Sequence, residues 1–434
     1  MSAVRGAKAQ VSLAALSLLT NALGYGFTVV MSRALPVSRF GELAALVGVL
    51  VTASVVGVAW QAVVARRVAS GENPSPPRLL TDTALVSVAV AAFVALASPA
   101  LHTLLAVDGL GALFWLALAM VPTTFAYGLQ GLVQGRERLV ALGWLLAAVQ
   151  AAKFAAGVVA AVAGGSVPLA FALVAGFTTL VVAVAIPLVS RPRFGRPTFG
   201  RSLLGAFARD TGALLGVLLL TSLDLFLARR YLSPDASGLY AAGNVLTRGA
   251  FWAPAFVALA GYARFSDPVA RPRALRQAAV TLAAVGAVAI AIGWFGRDLI
   301  PLVLGTDYRP VTPQLWLFAA QGAALAGLQL CVYAGLAAHD RRPAVLLWTL
   351  AVAEVVLVAT VGHGDLPSLV TTVTTCSWVT LALTVAVLVR WPRHPRPVAP
   401  GAAEDVVDVP AQWAAASQVD PTPTDTSRGT RPSE

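Results

Sequence analysis

Four ionisable side chains fall where an apolar chain tolerates them least. Lys153, Arg248 and Glu354 lie near the middle of long hydrophobic blocks, and Asp224 lies toward one end of another. A charge at mid-bilayer costs about 2.5 to 3.5 kcal/mol on insertion scales, so such a residue usually faces a cavity or a partner. Lys153 and Lys8 are the only lysines in the chain. Gln150 lies one turn before Lys153, and Asn244 lies four residues before Arg248; each pair shares a helical face. Two chemistries follow. Lys153 and Arg248, flanked by Gln150 and Asn244, suit the binding of an anionic substrate. Glu354 and Asp224 suit coupling to an ion or gating. The competing arrangement is an internal ion pair, Lys153 or Arg248 with Glu354 or Asp224, that locks helices together. The sequence leaves both open. Other chemistry finds little support: the four histidines have no H-x-x-x-H spacing, so a metal site is not indicated. Cys331 and Cys376 read as small core residues.

The elements that carry these groups are membrane helices. The chain is 58% hydrophobic and 12% charged, with a mean hydropathy of +0.77, whereas a soluble domain is roughly 25% charged. Crossing about 30 Å of hydrocarbon takes about 20 apolar residues. Twelve such windows occur: Val11 to Met31, Leu43 to Val64, Thr83 to Leu105, Gly111 to Leu132, Leu139 to Ala163, Val167 to Val189, Thr211 to Leu227, Gly238 to Ala263, Ala279 to Leu304, Gln314 to Ala338, Ala344 to Val361 and Leu369 to Val389. The first, too long for a secretory signal and with no A-x-A-like site after it, reads as a retained span. Pro122 and Pro254 fall near the centres of the fourth and eighth windows, with Pro99 and Pro187 nearer ends; each is a hinge candidate or a tolerated kink.

Basic residues orient the spans. With the N-terminus inside, 21 Lys and Arg fall on the inner side and 6 (Arg33, Arg39, Arg229, Arg230, Arg297 and Arg309) on the outer side. The positive-inside rule then places both termini in the cytoplasm and Asp108, Asp307 and Asp365 outside. The net charge of +11 is spread over short loops, which suits membrane lipids and not nucleic acid. After Trp391 the composition turns polar, and residues 396–434 read as a disordered acidic cytoplasmic tail.

The chain also repeats itself. Arg33-Ala-Leu35, Gly41 and Ala44-Ala45 superpose on Arg230-Tyr-Leu232, Gly238 and Ala241-Ala242 at an offset of 197. Gly131 to Val149 superposes on Gly335 to Ala353 at an offset of 204, which sets Gln150 over Glu354. Both matches place span n over span n+6. The expected fold is all-α and polytopic, with about twelve transmembrane helices in two pseudo-symmetric six-helix lobes: residues 1–200 with the linker, then 201–395.

Asn21 with Gly24-Tyr-Gly26, the segment SRALPVSRFGELAAL from Ser32 to Leu46, and DLFLARRYLSPDASGLYAAGNVL from Asp224 to Leu246 resemble the Wzx-type polysaccharide flippases. These belong to the multidrug/oligosaccharidyl-lipid/polysaccharide exporter (MOP) superfamily. The likeness lies in a short outer turn between the first two helices that recurs between the seventh and eighth. It implies a V-shaped pair of lobes around a lumen and a sugar carried on a polyprenyl diphosphate as substrate.

Taken together, these features predict a bacterial inner-membrane flippase, not an enzyme, that moves a lipid-linked oligosaccharide for polysaccharide biosynthesis by alternating access. Lys153 and Arg248, with Asn244 and Gln150, would hold the diphosphate; Glu354 and Asp224 would couple or gate. No cofactor is implied, while proton, sodium or membrane-potential coupling stays open. A polysaccharide polymerase and glycosyltransferases are the protein partners such a role suggests. The alternatives are an ion-coupled multidrug exporter and a non-transporting scaffold of envelope synthesis. Acids deep in the first lobe would favour the exporter, and the apolar windows of that lobe contain none. A membrane glycosyltransferase would need acids or His on a long outer loop, and every outer loop is short.

Overall fold

A computed structural model describes residues 2–70, 76–189, 201–252, 265, 271–337, 340 and 342–390. The linker from Arg191 to Gly200, Pro254 and the tail lie outside the described residues. Among the described residues twelve long helices follow one another: α1 (Ser2–Ala34), α2 (Val37–Ala69), α3 (Pro76–Leu104), α4 (Leu110–Gly135), α5 (Leu139–Val162), α6 (Val167–Val189), α7 (Arg201–Tyr231), α8 (Pro234–Trp252), α9 (Arg271–Phe295), α10 (Leu315–Ala337), α11 (Arg342–Thr360) and α12 (Leu366–Arg390). A short helix, Leu299–Leu304, and a 3-10 segment, Thr306–Gln314, join α9 to α10. No strand occurs among the described residues. Nine of the helices, all but α1, α7 and α8, are long and apolar enough over their described residues to cross a membrane. The chain is a multi-pass membrane protein.

The helices form two lobes with one pairing scheme. In the first lobe α1 packs on α5, α2 on α4, α4 on α3 and α6, and α5 on α6. In the second α7 packs on α11, α8 on α10, α10 on α9 and α12, and α11 on α12. Every pair in one list is its counterpart plus six helices. Lipid offers no hydrophobic drive to bring helices together, so small residues let backbones approach closely. A methyl group added at Gly131 or Gly135 of α4 would stand 2.6 or 2.5 Å from the Gln61 or Ala65 carbonyl oxygen of α2. Gly243 of α8 lies against the Phe318 ring of α10, and Gly322 of α10 against the Thr247 carbonyl of α8. Outward faces carry Phe93, Leu96, Leu188 and Val352, all exposed.

Several boundaries differ from the sequence expectation: α1 opens at Ser2 and α7 at Arg201, nine and ten residues before their windows at Val11 and Thr211. The ninth span was expected to reach Leu304, but α9 ends at Phe295. Gly296, Arg297 and Asp298 break it there, and Leu299–Leu304 turns inward so that Ile300, Pro301 and Leu304 are buried. Helix α3 starts at Pro76, seven residues before its apolar window, because polar residues can open a helix beyond the hydrocarbon. Pro122 sits inside an uninterrupted α4 and is buried.

The six connections after odd-numbered helices gather at one end, and there the lobes meet. Gly41 of α2 and Gly238 of α8, superposed by the 197 offset, face each other: a methyl on Gly41 would stand 2.8 Å from the Gly238 nitrogen. A pseudo-twofold axis therefore passes between the two equivalent glycines. Further along the same contact Gly48 of α2 packs on Ser222 and Phe226 of α7. Tyr308 donates to the Ser32 carbonyl at 3.0 Å, and its ring meets Phe40 edge-on at 5.6 Å.

Candidate functional site

Asp224 is the centre of a buried polar cluster in the second lobe. Its carboxylate is inaccessible to solvent and is surrounded by donors from three other points in the chain. Asn244 Nδ2 donates to Oδ2 at 2.7 Å, Gln321 Nε2 at 3.0 Å and the Tyr240 hydroxyl at 3.2 Å, while the Leu225 N–H reaches Oδ1 at 2.8 Å. Helix geometry explains the arrangement: Tyr240 and Asn244 are four residues apart on one face of α8, and Gln321 projects from α10, which packs on that face. The Tyr240 ring meets Phe318 edge-on at 4.9 Å. Thr247 adds bonds to the Phe318 carbonyl at 2.9 Å and to Gln321 Oε1 at 3.5 Å.

Glu354 of α11 lies in the same lobe. It is 1% exposed, its Oε1 is buried without a hydrogen-bond partner among the described residues, and it lies within electrostatic reach of Asp224 and Tyr240. Two carboxylates in one low-dielectric interior repel, and an unpaired ion there is costly. Holding both as ions in this interior is therefore unfavourable.

The cations are arranged differently. Arg248, one turn beyond Asn244, is half-buried. Its guanidinium donates to the Ser222 hydroxyl at 3.5 Å and lies within electrostatic reach of Asp224 and of Tyr25 on α1. Tyr25 also comes close to Gly249, so α1 and α8 oppose each other across the two lobes at this level. Lys153 is half-buried on α5. Gln150 lies against Gly24 of α1, where an added methyl would stand 2.8 Å from its Nε2. Among the described residues no ion pair joins Lys153 or Arg248 to Glu354 or Asp224. The locking ion pair that the sequence left open is absent there.

The structure thus gathers Asp224, Asn244 and Glu354 within one lobe, sets Arg248 at the edge of that lobe, and leaves Lys153 and Gln150 in the other. Asn244, grouped on sequence with Arg248 as a substrate ligand, is 1% exposed and turned onto Asp224; the hundred-degree step per residue that places it near Arg248 also permits the inward turn. Sequence reasoning missed Tyr240 and Gln321, although Gln321, one of two glutamines inside the apolar α10, was a usable signal. It also missed acids in the first lobe. Asp82, in the early part of α3, is fully buried, and Glu42 of α2 is 2% exposed. Beside Asp82, Thr83 accepts from Trp60 Nε1 at 3.0 Å. Both acids lie one residue before an apolar window, at Thr83 and Leu43, and the windows themselves contain none.

No protein-family model matches the chain, and no curated protein is significantly similar to it. Solved structures are. An inward-facing multidrug-resistance MATE transporter of the MOP superfamily superposes with a TM-score of 0.67 at 12% identity, over 85% of this chain and 92% of that one. The eukaryotic MATE transporter AtDTX14 gives 0.59 at 13% identity over 95% and 98%. A MOP transporter from Pyrococcus furiosus, described as having a binding pocket of reverse polarity that suggests a different function, gives 0.58 at 10% identity over 88% and 94%. The chain therefore has the two-lobed, twelve-helix fold that the MATE transporters of the MOP superfamily share.

Proposed function

We propose that this chain is an alternating-access transporter whose substrate is an anionic lipid-linked oligosaccharide on a polyprenyl diphosphate. In this reading it moves the substrate from the cytoplasmic to the outer leaflet of a bacterial inner membrane, with both termini cytoplasmic. The observation that carries it is Arg248: a half-buried cation opposite α1, held only by a long hydroxyl contact and without a carboxylate at ion-pairing distance among the described residues. Such a guanidinium can present two parallel donors to a diphosphate. Lys153, with Gln150 beside it, supplies a second positive charge from the first lobe. Only the sugar-phosphate headgroup needs a polar path, since the lipid tail remains in the bilayer. Asp224 and Glu354 then couple the lobe movement to a proton or a cation, with Asn244 as a partner of Asp224. A polysaccharide polymerase and glycosyltransferases are its expected neighbours.

A second reading rests on the Asp224 and Glu354 pair itself. An ion-coupled multidrug exporter would use the same acids, and two of the three structural neighbours above are MATE transporters. Reconstitution separates the two. Liposomes containing the protein should translocate a fluorescent polyprenyl-diphosphate disaccharide and leave a cationic dye such as ethidium untransported. Dye transport with no disaccharide translocation overturns the flippase reading and installs the exporter.

A further inference from the structure

At the closed end of the bundle each lobe sends one arginine into the other. Arg229, near the end of α7, donates from Nε to the Leu105 carbonyl at 3.0 Å and from Nη2 to the Ala106 carbonyl at 2.9 Å, just beyond the end of α3. Arg33, near the end of α1, donates from Nη2 to the Leu302 carbonyl at 2.6 Å and from Nε to the Val303 carbonyl at 2.9 Å, in the short helix after α9. The acceptors are repeat equivalents: Leu302 and Val303 are Leu105 and Ala106 shifted by 197, the same offset that superposes Gly41 on Gly238. The donors come from α1 and α7, themselves equivalent, one residue out of that register. In both cases a planar guanidinium binds two successive carbonyls at a helix C-terminal end, where the dipole also favours a cation.

We propose that Arg33 and Arg229 are a pair of pseudo-symmetric latches that hold this end of the cleft shut, and that the lobes cannot exchange access until both release. Each latch crosses the lobe boundary, and the pseudo-twofold axis through Gly41 and Gly238 requires that lobe separation break both. They are unequal. Arg229 is 6% exposed and is also bound by the Ser237 hydroxyl at 3.2 Å and the Ser38 carbonyl at 3.4 Å. Glu42, itself bonded to Arg39 at 2.9 Å, lies within electrostatic reach of it, while Arg39 continues the chain to Asp108. Arg33 is exposed, and among the described residues it bonds only its two carbonyls. Arg229 is accordingly the main latch and Arg33 the auxiliary one.

The test reads conformation and needs no substrate. Full-length protein in nanodiscs, with Cys331 and Cys376 replaced by alanine, carries spin labels at Leu110→Cys and Gly364→Cys, one on each lobe at the closed end. Pulsed dipolar spectroscopy should give one short-distance population in the parent. In Arg229→Ala a longer population should become the majority. Arg33→Ala should show it as a minority, and the double variant should lack the short population. Arg229→Lys should remain intermediate, since one ammonium cannot span two carbonyls in a fixed fork. If Arg229→Ala folds, shown by an unchanged elution profile, and keeps the parental distance distribution with only a lower melting temperature, the residue merely caps α3 and the proposal is overturned. Should that variant not fold, the exposed Arg33→Ala decides alone: an unchanged distribution overturns the paired latch.

Discussion

The two lobes share a helix-pairing scheme but not a polarity. Shifted by 197, Asp224, Tyr240, Asn244 and Arg248 of the second lobe superpose on Phe27, Leu43, Val47 and Val51 of the first. Where α7, α8 and α10 enclose a carboxylate with four hydrogen bonds, α1 and α5 are joined by rings packed on glycine. An added methyl at Gly26 would stand 2.8 Å from Phe154, and one at Gly157 would stand 2.7 Å from Phe27. Gln150 likewise stands where the second lobe has Glu354. The difference teaches that one scaffold carries two distributions of charge: the second lobe holds Asp224 and Glu354 inside its apolar spans, while the first lobe keeps Lys153 there and its buried acids, Glu42 and Asp82, just outside them.

The largest effect should come from breaking the polar side of this comparison. Asp224→Ala would leave Asn244, Gln321 and Tyr240 as buried donors without an acceptor. Each stranded group costs about 1 to 3 kcal/mol in a soluble protein and less where membrane helices find other partners, so a loss of about 2 to 4 kcal/mol in unfolding free energy is expected, together with loss of transport. Urea titration followed by Trp fluorescence would measure it. Asp224→Asn should recover much of the stability and none of the transport, because the donors regain an oxygen while the titratable charge is gone.

Arg248→Ala comes next. Transport should fall at least tenfold with little change in melting temperature, since the guanidinium has one long bond to lose; Arg248→Lys should keep a measurable fraction. Glu354→Gln sharpens the same point from the acid. With no ion pair to strand among the described residues, it should block transport while the melting temperature stays within a few degrees of the parent. A marked fall in stability would mean that Glu354 is a strut.

The apolar side should respond only in packing. Gly157→Ala pushes a methyl against Phe27 and should cost about 1 to 3 kcal/mol, with transport reduced in proportion to the folded fraction. The smallest change concerns the exposed cap of α12. Asp365 Oδ1 accepts the Ser368 N–H at 2.9 Å, and that bond holds its carboxyl below the ordinary carboxylate value. The cap's contribution is full above that ordinary value, near about 3.9, and fades as pH falls through the lowered one. Asp365→Ala should slightly lower the melting temperature at pH 7, and the gap to the parent should narrow in acid.

The sequence makes the skeleton legible because lipid imposes it. Twelve apolar windows, the repeat at 197 and the depth of Lys153, Arg248, Glu354 and Asp224 all follow from hydrophobicity and spacing. The contacts do not. Asp224 is bonded to residues 16, 20 and 97 positions away, and no local pattern says which face of α8 meets α10. Arg229 reads as an outer-loop charge, yet its acceptors are backbone carbonyls 124 and 123 residues distant, and carbonyls have no sequence signature. The start of α3 and the end of α9 depart from their windows for a related reason: hydropathy reports the hydrocarbon, while a helix can begin before it or break within it.

The central claim, that the cation between the lobes awaits an anionic headgroup, is tested most directly by binding. Native mass spectrometry of the purified protein, titrated with a polyprenyl diphosphate and with the neutral polyprenol of the same length, measures the headgroup's contribution alone. The account predicts at least tenfold tighter binding of the diphosphate by the parent protein and near loss of that preference in Arg248→Ala. Equal affinity for the two lipids in the parent, or an undiminished preference in the variant, would contradict it.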